Sequence, residues 1–393
     1  MIAATARVTA DLDMAEECVQ HAYAQALTAW AVSGVPHRPG GWLTTVARRH
    51  ALDRLRREAT LRRSWPLLVD RRTAPPPGGD DPDEIGDDRL RLIFTCCHPA
   101  LALPTQVALT LRLVCGLTTA EVARSFLVAE TAMAARLTRA MKKIAGAGIP
   151  YRVPSAPELP ARIDAVLEVV HLVFATGHTA PAGEELIRAD LVRRSVDLAR
   201  MLRVLLPADT GVAGLLALIL LTHARSPARL GADGQMVLLA DQDRSRWDRG
   251  AIDEGRALVR EALRSRADNR FALMAAIAAM HAEAPAWPDT DWNELVSLYD
   301  LLLAVWPSPV VALNRAVAVG LGAGAEAGLA ALDALADEPR LAAYPYFASA
   351  RADALRRLHR VDEARLAYDE ALALSENAVE RAFLGRRIAE LDG

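Results

Sequence analysis

The stretch Leu117–Leu137 reads LTTAEVARSFLVAETAMAARL, and its reading decides how the rest of the chain is taken. Thr118 or Thr119 can cap a helix, with Glu121 in the first turn, where the helix dipole favours a carboxylate. Ala123 is small enough for two helices to cross. Phe126-Leu127-Val128 form a turn, and a second helix starts near Ala129–Glu130. Met133 and Leu137 then face inward, while Thr131, Ala132, Ala135, Arg136 and Arg139 face outward. This is the pattern of a helix-turn-helix, whose second helix enters the major groove of DNA. Leu127 stands where such turns more often have glycine. The Pro104–Cys115 helix before the motif and the cations Arg139, Lys142 and Lys143 after it extend the same unit.

About sixty residues upstream lies a second basic segment, PGGWLTTVARRHALDRLRRE over residues 39–58. Arg48, Arg49, Arg54, Arg56, Arg57, Arg62 and Arg63 crowd together here. Helical spacing predicts Trp42, Val46 and Leu52 inward, with Arg48, Arg49, His50, Arg56 and Arg57 outward. Arginines on one helix face supply phosphate contacts. An aromatic beside them can stack on unpaired bases, although Trp42 also reads as core at this spacing. Before it, Leu12, Ala15, Val19, Ala22, Tyr23, Ala26 and Trp30 form one apolar face. Asp13, Glu16, Glu17 and Gln20 lie on the other, which reads either as a solvated first turn or as a docking face for a basic partner.

Strand signals are nearly absent, and Ala and Leu recur at three- and four-residue spacing throughout, so the predicted fold class is all-α. The segment TAPPPGGDDPDEIGDD over 73–88 is a linker by its prolines, glycines and carboxylates. Further breaks fall at Gly146–Pro160 and Ala284–Asp291. The parts are then 1–63, a linker at 64–87, 88–150 with the helix-turn-helix, 158–283, and 291–391. In the last, Ala352, Leu355, Ala364, Tyr368 and Ala371 follow the small-and-large pattern of a tetratricopeptide hairpin, with Glu376 in place of its closing proline. Pro309–Leu335 is a weaker copy, with Ala316, Ala327 and Ala331 at the small sites. Such hairpins bury their apolar faces only by stacking on neighbours.

The net charge of −3 hides these local basic patches. Four cysteines without a CxxC pair fit a reducing cytoplasm rather than a disulfide scaffold. Cys96-Cys97-His98 reads as small buried residues at a helix end, since adjacent cysteines do not readily share a tetrahedral zinc. His171, His178, Glu168, Glu184 and Glu185 lack HExxH spacing, and no GxxxxGK[ST] or GxGxxG occurs, so neither metal, cofactor nor catalysis is expected. Leu215–Leu221, the longest apolar run, is too short to span a bilayer. The polar cluster Asp241–Asp248 reads either as a loop capping the next helix or, through Asp241, Asp243, Arg244, Arg246 and Trp247, as a contact between the C-terminal parts and the basic ones.

Taken together, these residues resemble a sigma factor of RNA polymerase of the extracytoplasmic-function (ECF) group. DLDMAEECVQHAYAQALTAW looks like the core-binding helix of sigma domain 2, which implies polymerase contacts at Asp13, Glu16, Glu17 and Gln20. PGGWLTTVARRHALDRLRRE is similar to the helix that melts and reads the −10 element, implying roles for Trp42, Arg48, Arg49, His50, Arg56 and Arg57. LPTQVALTLRLVCGLTTAEVARSFLVAETAMAARLTRAMKKI looks like domain 4, implying −35 contacts at Thr131, Ala132, Ala135, Arg136, Arg139, Lys142 and Lys143. Stretches such as RLIFTCCHPAL and LLADQDRSRWDRGAIDEG resemble a branch with a long, tetratricopeptide-like C-terminal extension. That branch implies regulation through the extension and a small YCII-related (DGPF-type) protein as a partner, beside core polymerase and promoter DNA. Two departures stand out. Only Met1–Thr9 precede the first helix of the motif, so a start upstream of Met1 is expected, and Phe174–His178 differs from the branch's aromatic-Asn-Glu-Gly-Tyr stretch. An ordinary helix-turn-helix regulator with a helical sensory domain would explain Leu117–Leu137 but leave Trp42–Arg57 and Asp13–Gln20 without a role.

Overall fold

The computed structural model describes residues 1–63, 82–126, 128–155, 157–265 and 268–391. Among these the chain is helical from end to end, with two strands of two residues each. The residues gather into two compact units, Met1–Val169 and Val170–Gly393.

The first unit begins with α1 (Ile2–Thr9) and α2 (Leu12–Ser33). Ala10 adopts a left-handed φ of 50° and ends α1. Asp11 restarts the helix: its carboxylate accepts from the Asp13 and Met14 N–H groups at 2.9 and 3.1 Å. Helix α3 (Pro39–Arg63) packs on α2 through small side chains, with Ala22 and Ala26 facing Leu43 and Ala47. The buried row of α3 is Leu43, Ala47 and Ala51. Of the residues expected inward, Trp42 and Val46 are half-buried and pack against this cluster, and Leu52 is half-buried, while the fully buried row lies one position away. An alanine seam lets the two helices approach closely, and that displaces the bulky residues to its flank. Trp42 is accordingly half-buried there, its ring 5.5 Å from that of Trp30.

Helix α4 (Pro82–Cys96) takes up the C-terminal end of the expected linker, while residues 64–81 lie outside the described residues. α5 (Leu103–Leu109) runs into a π-helical turn, Thr110–Val114. α6 (Thr119–Ser125) and α7 (Glu130–Gly146) follow, then α8 (Leu159–His178), within which the first unit ends. Cys96 and Cys97 are wholly buried, and burial pushes the Cys97 thiol up to about 12. Neutral, enclosed thiols of this kind act as packing.

The second unit is built around α10 (Thr210–His223), which is buried on every face from Val212 to Leu221. It is wrapped by α9 (Ala189–Leu205), α11 (Arg249–Ser265) and α12 (Arg270–Glu283). A Cβ at Gly214 would lie 2.6 Å from the Ala272 backbone nitrogen, so glycine is what allows α10 and α12 to cross this closely. By length and composition Thr210–Ala228 could cross a membrane, a longer stretch than the apolar run read from sequence, yet most of it is interior to the fold.

Beyond it come α13 (Trp292–Val305), α14 (Pro309–Gly322), α15 (Ala325–Asp333), α16 (Pro345–Arg357), α17 (Val361–Leu374) and α18 (Ala378–Ala389). Ala352, Leu355, Ala364, Tyr368 and Ala371 all lie in the core of the α16–α17 hairpin, as the small-and-large pattern predicts. In α15 the pattern is off by one: Gly328, rather than Ala327, is the buried small residue. A Cβ on Gly328 would lie 2.5 Å from the Gly320 Cα, and only paired glycines permit that approach of α14 and α15. Strand β1 (Ala182–Gly183) pairs in parallel with β2 (Glu376–Asn377). Asn377, fully buried, donates to the Ala180 and Glu185 carbonyls at 3.1 and 2.8 Å and accepts from the Val379 and Glu380 N–H groups as the cap of α18.

Candidate nucleic-acid and polymerase interface

The helix-turn-helix forms as the sequence predicts. Thr118 and Glu121 make a reciprocal capping box: the Glu121 N–H donates to the Thr118 hydroxyl at 3.2 Å, and the Thr118 N–H donates to the Glu121 carboxylate at 2.6 Å. Ala123 is buried at the crossing, while Leu127 of the turn lies outside the described residues. On α7 the inward row is Met133, Leu137, Ala140 and Ile144, spaced for one helical face. Thr131, Ala132, Ala135, Arg139, Lys142 and Lys143 are exposed on the other. Arg136 is half-buried, its guanidinium carbon 5.4 Å from the centre of the Phe126 ring. The aromatic thereby orders a long side chain that would otherwise be free. Lys143 donates to the Ala100 carbonyl at 2.6 Å.

On α2, Asp13, Glu17 and Gln20 are exposed, and Glu16 is half-buried. Glu17 pairs with Arg54 of α3. Glu16 pairs with Arg112, from the π-helical turn, which also donates to the Leu117 carbonyl at 3.0 Å. Burial pushes the Glu16 carboxyl up, and the Arg112 charge opposes that shift. Desolvation, then Glu17 and Asp11, raise the Asp13 carboxyl, while Lys142 and Arg54 draw it down. Part of the acidic face is thus already occupied, Glu16 by Arg112 from the turn before the helix-turn-helix and Glu17 by Arg54 of α3. Two further ties join the ends of this unit. The Tyr151 hydroxyl lies 2.9 Å from the Ala3 carbonyl and 3.1 Å from that of Asp88, and Arg7 sits 3.5 Å from the Asp88 carboxylate.

On α3, Arg49, Arg56 and Arg57 are exposed, and Arg48 and His50 are half-buried. The His50 ring stacks on His21 of α2 at 3.9 Å between centroids and 15° between planes. Burial lowers its pKa, and His21, Arg54 and Arg57 lower it further against Asp53. The fold thus favours the neutral form of the stacked His50 ring. Sequence reasoning missed Arg112 and the His21–His50 stack. Arg112 belongs to an apolar stretch whose register is reset by the π-helical turn. His21 and His50 lie on different helices, with a loop between them, so no local spacing announces the stack.

The five residues read as an extension contact fall in two roles. Arg244 donates to the His281 and Ala284 carbonyls at 2.8 and 2.6 Å, and Trp247 is buried beside it with the guanidinium over its ring. The Asp248 carboxylate accepts from the Ala251 N–H at 3.0 Å and so helps start α11. Asp241, Asp243 and Arg246 are exposed.

Comparison with known proteins agrees with this layout. Residues 2–60 match the family Sigma-70 region 2, and residues 91–144 match Sigma-70, region 4. Residues 162–263 match a family of unknown function, DUF6596. An uncharacterised protein of Rhizobium meliloti (strain 1021) is 42% identical over 385 residues, covering 97% of this chain and 90% of that protein. The chain belongs to one family with that protein, and its matches to Sigma-70 region 2 and region 4 support a sigma factor of the sigma-70 type.

Proposed function

We propose that the chain is a sigma factor of the ECF group: it binds core RNA polymerase through region 2, holds melted −10 bases with α3 and reads the −35 duplex with α7. The observation that carries this is the presence, in one chain, of two separate exposed basic helix faces on regions 2 and 4. Only residues 61–90 separate the two matched regions, which leaves no room for a middle sigma domain. The work is differential binding rather than covalent chemistry. Arginines and lysines supply affinity through phosphates, and outward residues of α7 supply base discrimination. Core polymerase docks on Asp13, Glu16, Glu17 and Gln20 of α2, and engagement of Glu16 requires that Arg112 let go.

The residues after Val169 form a regulatory extension with tetratricopeptide-like hairpins at its C-terminal end. Its exposed Asp241, Asp243 and Arg246 are the positions suited to contact with the sigma regions or polymerase. Nothing in the extension singles out a small YCII-related protein as its partner. The site of action is the cytoplasm, where polymerase is.

Run-off transcription with purified core polymerase and the chain's own upstream DNA tests the reading. A discrete transcript that depends on the chain supports it. DNA binding without co-elution with core polymerase would point to an ordinary helix-turn-helix regulator.

A further inference from the structure

Residues 147–155 lie between the matched regions, since the region 4 match ends at 144 and the next begins at 162. The course of this segment is set by the end of α7. Gly148 adopts a left-handed φ of 62°. Its N–H donates to the Ala145 carbonyl at 3.3 Å, and the Ile149 N–H donates to that of Ile144 at 3.1 Å. This paired closure lets a glycine stop a helix and turn the chain, and Pro150 then prevents the helix from resuming. Tyr151 is thereby brought back to region 2. Its hydroxyl lies between the Ala3 carbonyl of α1 and the Asp88 carbonyl of α4. Burial, then the Asp88 charge, push the phenol up, so it remains a neutral donor.

Asp88 is the meeting point of these elements. Its side chain is buried, and its carboxylate lies 3.5 Å from Arg7 of α1 and 3.3 Å from Arg91 of α4. Beyond Tyr151 the chain is held as well. The Ser155 hydroxyl and N–H donate to the Glu158 carboxylate at 2.7 and 2.9 Å, and Arg152 joins it at 3.0 Å. Arg162, near the start of α8, donates to the Phe94 carbonyl of α4. The segment is thus fastened to α1 of region 2 and to α4 at once. The Arg112–Glu16 pair joins the same two regions at a second place.

Such a closed arrangement conflicts with promoter binding. The −10 and −35 elements lie about 25 base pairs apart by position, roughly 85 Å of duplex at about 3.4 Å per pair. A compact unit the length of Met1–Val169 is about 40 Å across. Region 2 and region 4 cannot reach both elements while they are fastened together. The closed form also occupies Glu16, a residue of the docking face. We propose that residues 147–155 are an autoinhibitory strap, with Tyr151 as its catch, that holds region 2 against region 4 together with the Arg112–Glu16 pair and yields when core polymerase takes Glu16. Polar ties of this kind are individually modest, and polymerase shifts the balance because it binds the open form better. The inhibitory role rests on the sigma-factor reading; the fastening itself does not.

Förster transfer in the full chain is the test, with dyes on Thr45→Cys in α3 and Ala145→Cys in α7. Both positions are exposed, and the four native cysteines are buried and stay unlabelled. Transfer is high in the free chain, and core polymerase lowers it at least twofold. Tyr151→Phe combined with Arg112→Ala lowers it without polymerase, while circular dichroism shows unchanged helicity. Core polymerase then associates at least threefold faster. A merely structural tyrosine would lower the melting temperature but move neither the transfer nor the association rate. Tyr151→Phe alone, which removes one oxygen, gives a smaller fall in transfer and replaces the double variant should that fail to fold. Wild-type transfer in the variant overturns the strap, as does core-bound chain that keeps the transfer of the free chain. Equal association rates overturn it too. Failure of either chain to bind core would overturn the sigma-factor reading and with it the inhibitory role, whereas transfer in the free chain still decides whether Tyr151 holds the regions together.

Discussion

Arg136 and His50 are both held by an aromatic neighbour, and each can be tested alone. Arg136 lies over Phe126 at 5.4 Å, an arrangement worth about 0.5–1 kcal/mol where partly exposed. Arg136→Ala should therefore cost little stability. If the side chain reads a base, its loss should weaken promoter binding by roughly 1–3 kcal/mol and relax preference at one position of the −35 element. Holoenzyme binding to a panel of −35 variants, beside a urea melt, separates the two effects. An even loss across all variants would assign Arg136 to phosphate instead. For His50, whose pKa is lowered in the fold, the unfolded chain takes up the proton more readily, so stability rises with pH. Stability should fall as the pH drops through about 6.5, the ordinary histidine value. His50→Gln should lessen that dependence, the remainder coming from the other buried histidines, as followed by urea midpoints at several pH values.

At the scale of elements, the inward rows were readable wherever a helix keeps a regular period. Met133 and Leu137 of α7, and Ala352, Ala364 and Ala371 of the last hairpin, are buried where their spacing puts them. On α3 the expected Trp42 and Val46 do pack against the core, but its fully buried row of Leu43, Ala47 and Ala51 was not legible, because alanine carries little hydrophobic signal although a row of alanines decides how closely two helices approach. The same holds for α15, where Gly328 rather than an alanine makes the contact. The role of Arg112 was not legible, because a π-helical turn shifts every following side chain around the axis. Its ion pair with Glu16 leads to a prediction. Arg112→Ala should release the acidic face of α2 and raise affinity for core polymerase several-fold, whereas Asp13→Lys should lower it. Fluorescence anisotropy of labelled chain with core polymerase reads both. Unchanged affinity in Arg112→Ala would mean that Glu16 takes no part in docking.

For the whole molecule, the helical class and the two sigma regions were legible because their motifs are local. The closure of the extension was not, since it depends on Asn377 meeting carbonyls 197 and 192 residues earlier in the chain. No local pattern announces such a contact. Asn377→Ala removes both bonds and the α18 cap together. Unfolding of the extension should become easier by about 2–3 kcal/mol, with the sigma regions unaffected. Chemical denaturation followed by hydrogen exchange in each unit would show this, and equal loss in both units would contradict it.

That same pairing sets an order of events during synthesis. The loop after α8 leaves the ribosome long before β2 exists to join it. At ordinary elongation rates of about 5–20 residues per second, the intervening chain takes roughly 10–40 s to make. Through that interval both sigma regions have emerged and can fold while the extension lacks its last strand. A nascent chain thus passes through a period in which its DNA-facing half is complete and its C-terminal half is still open.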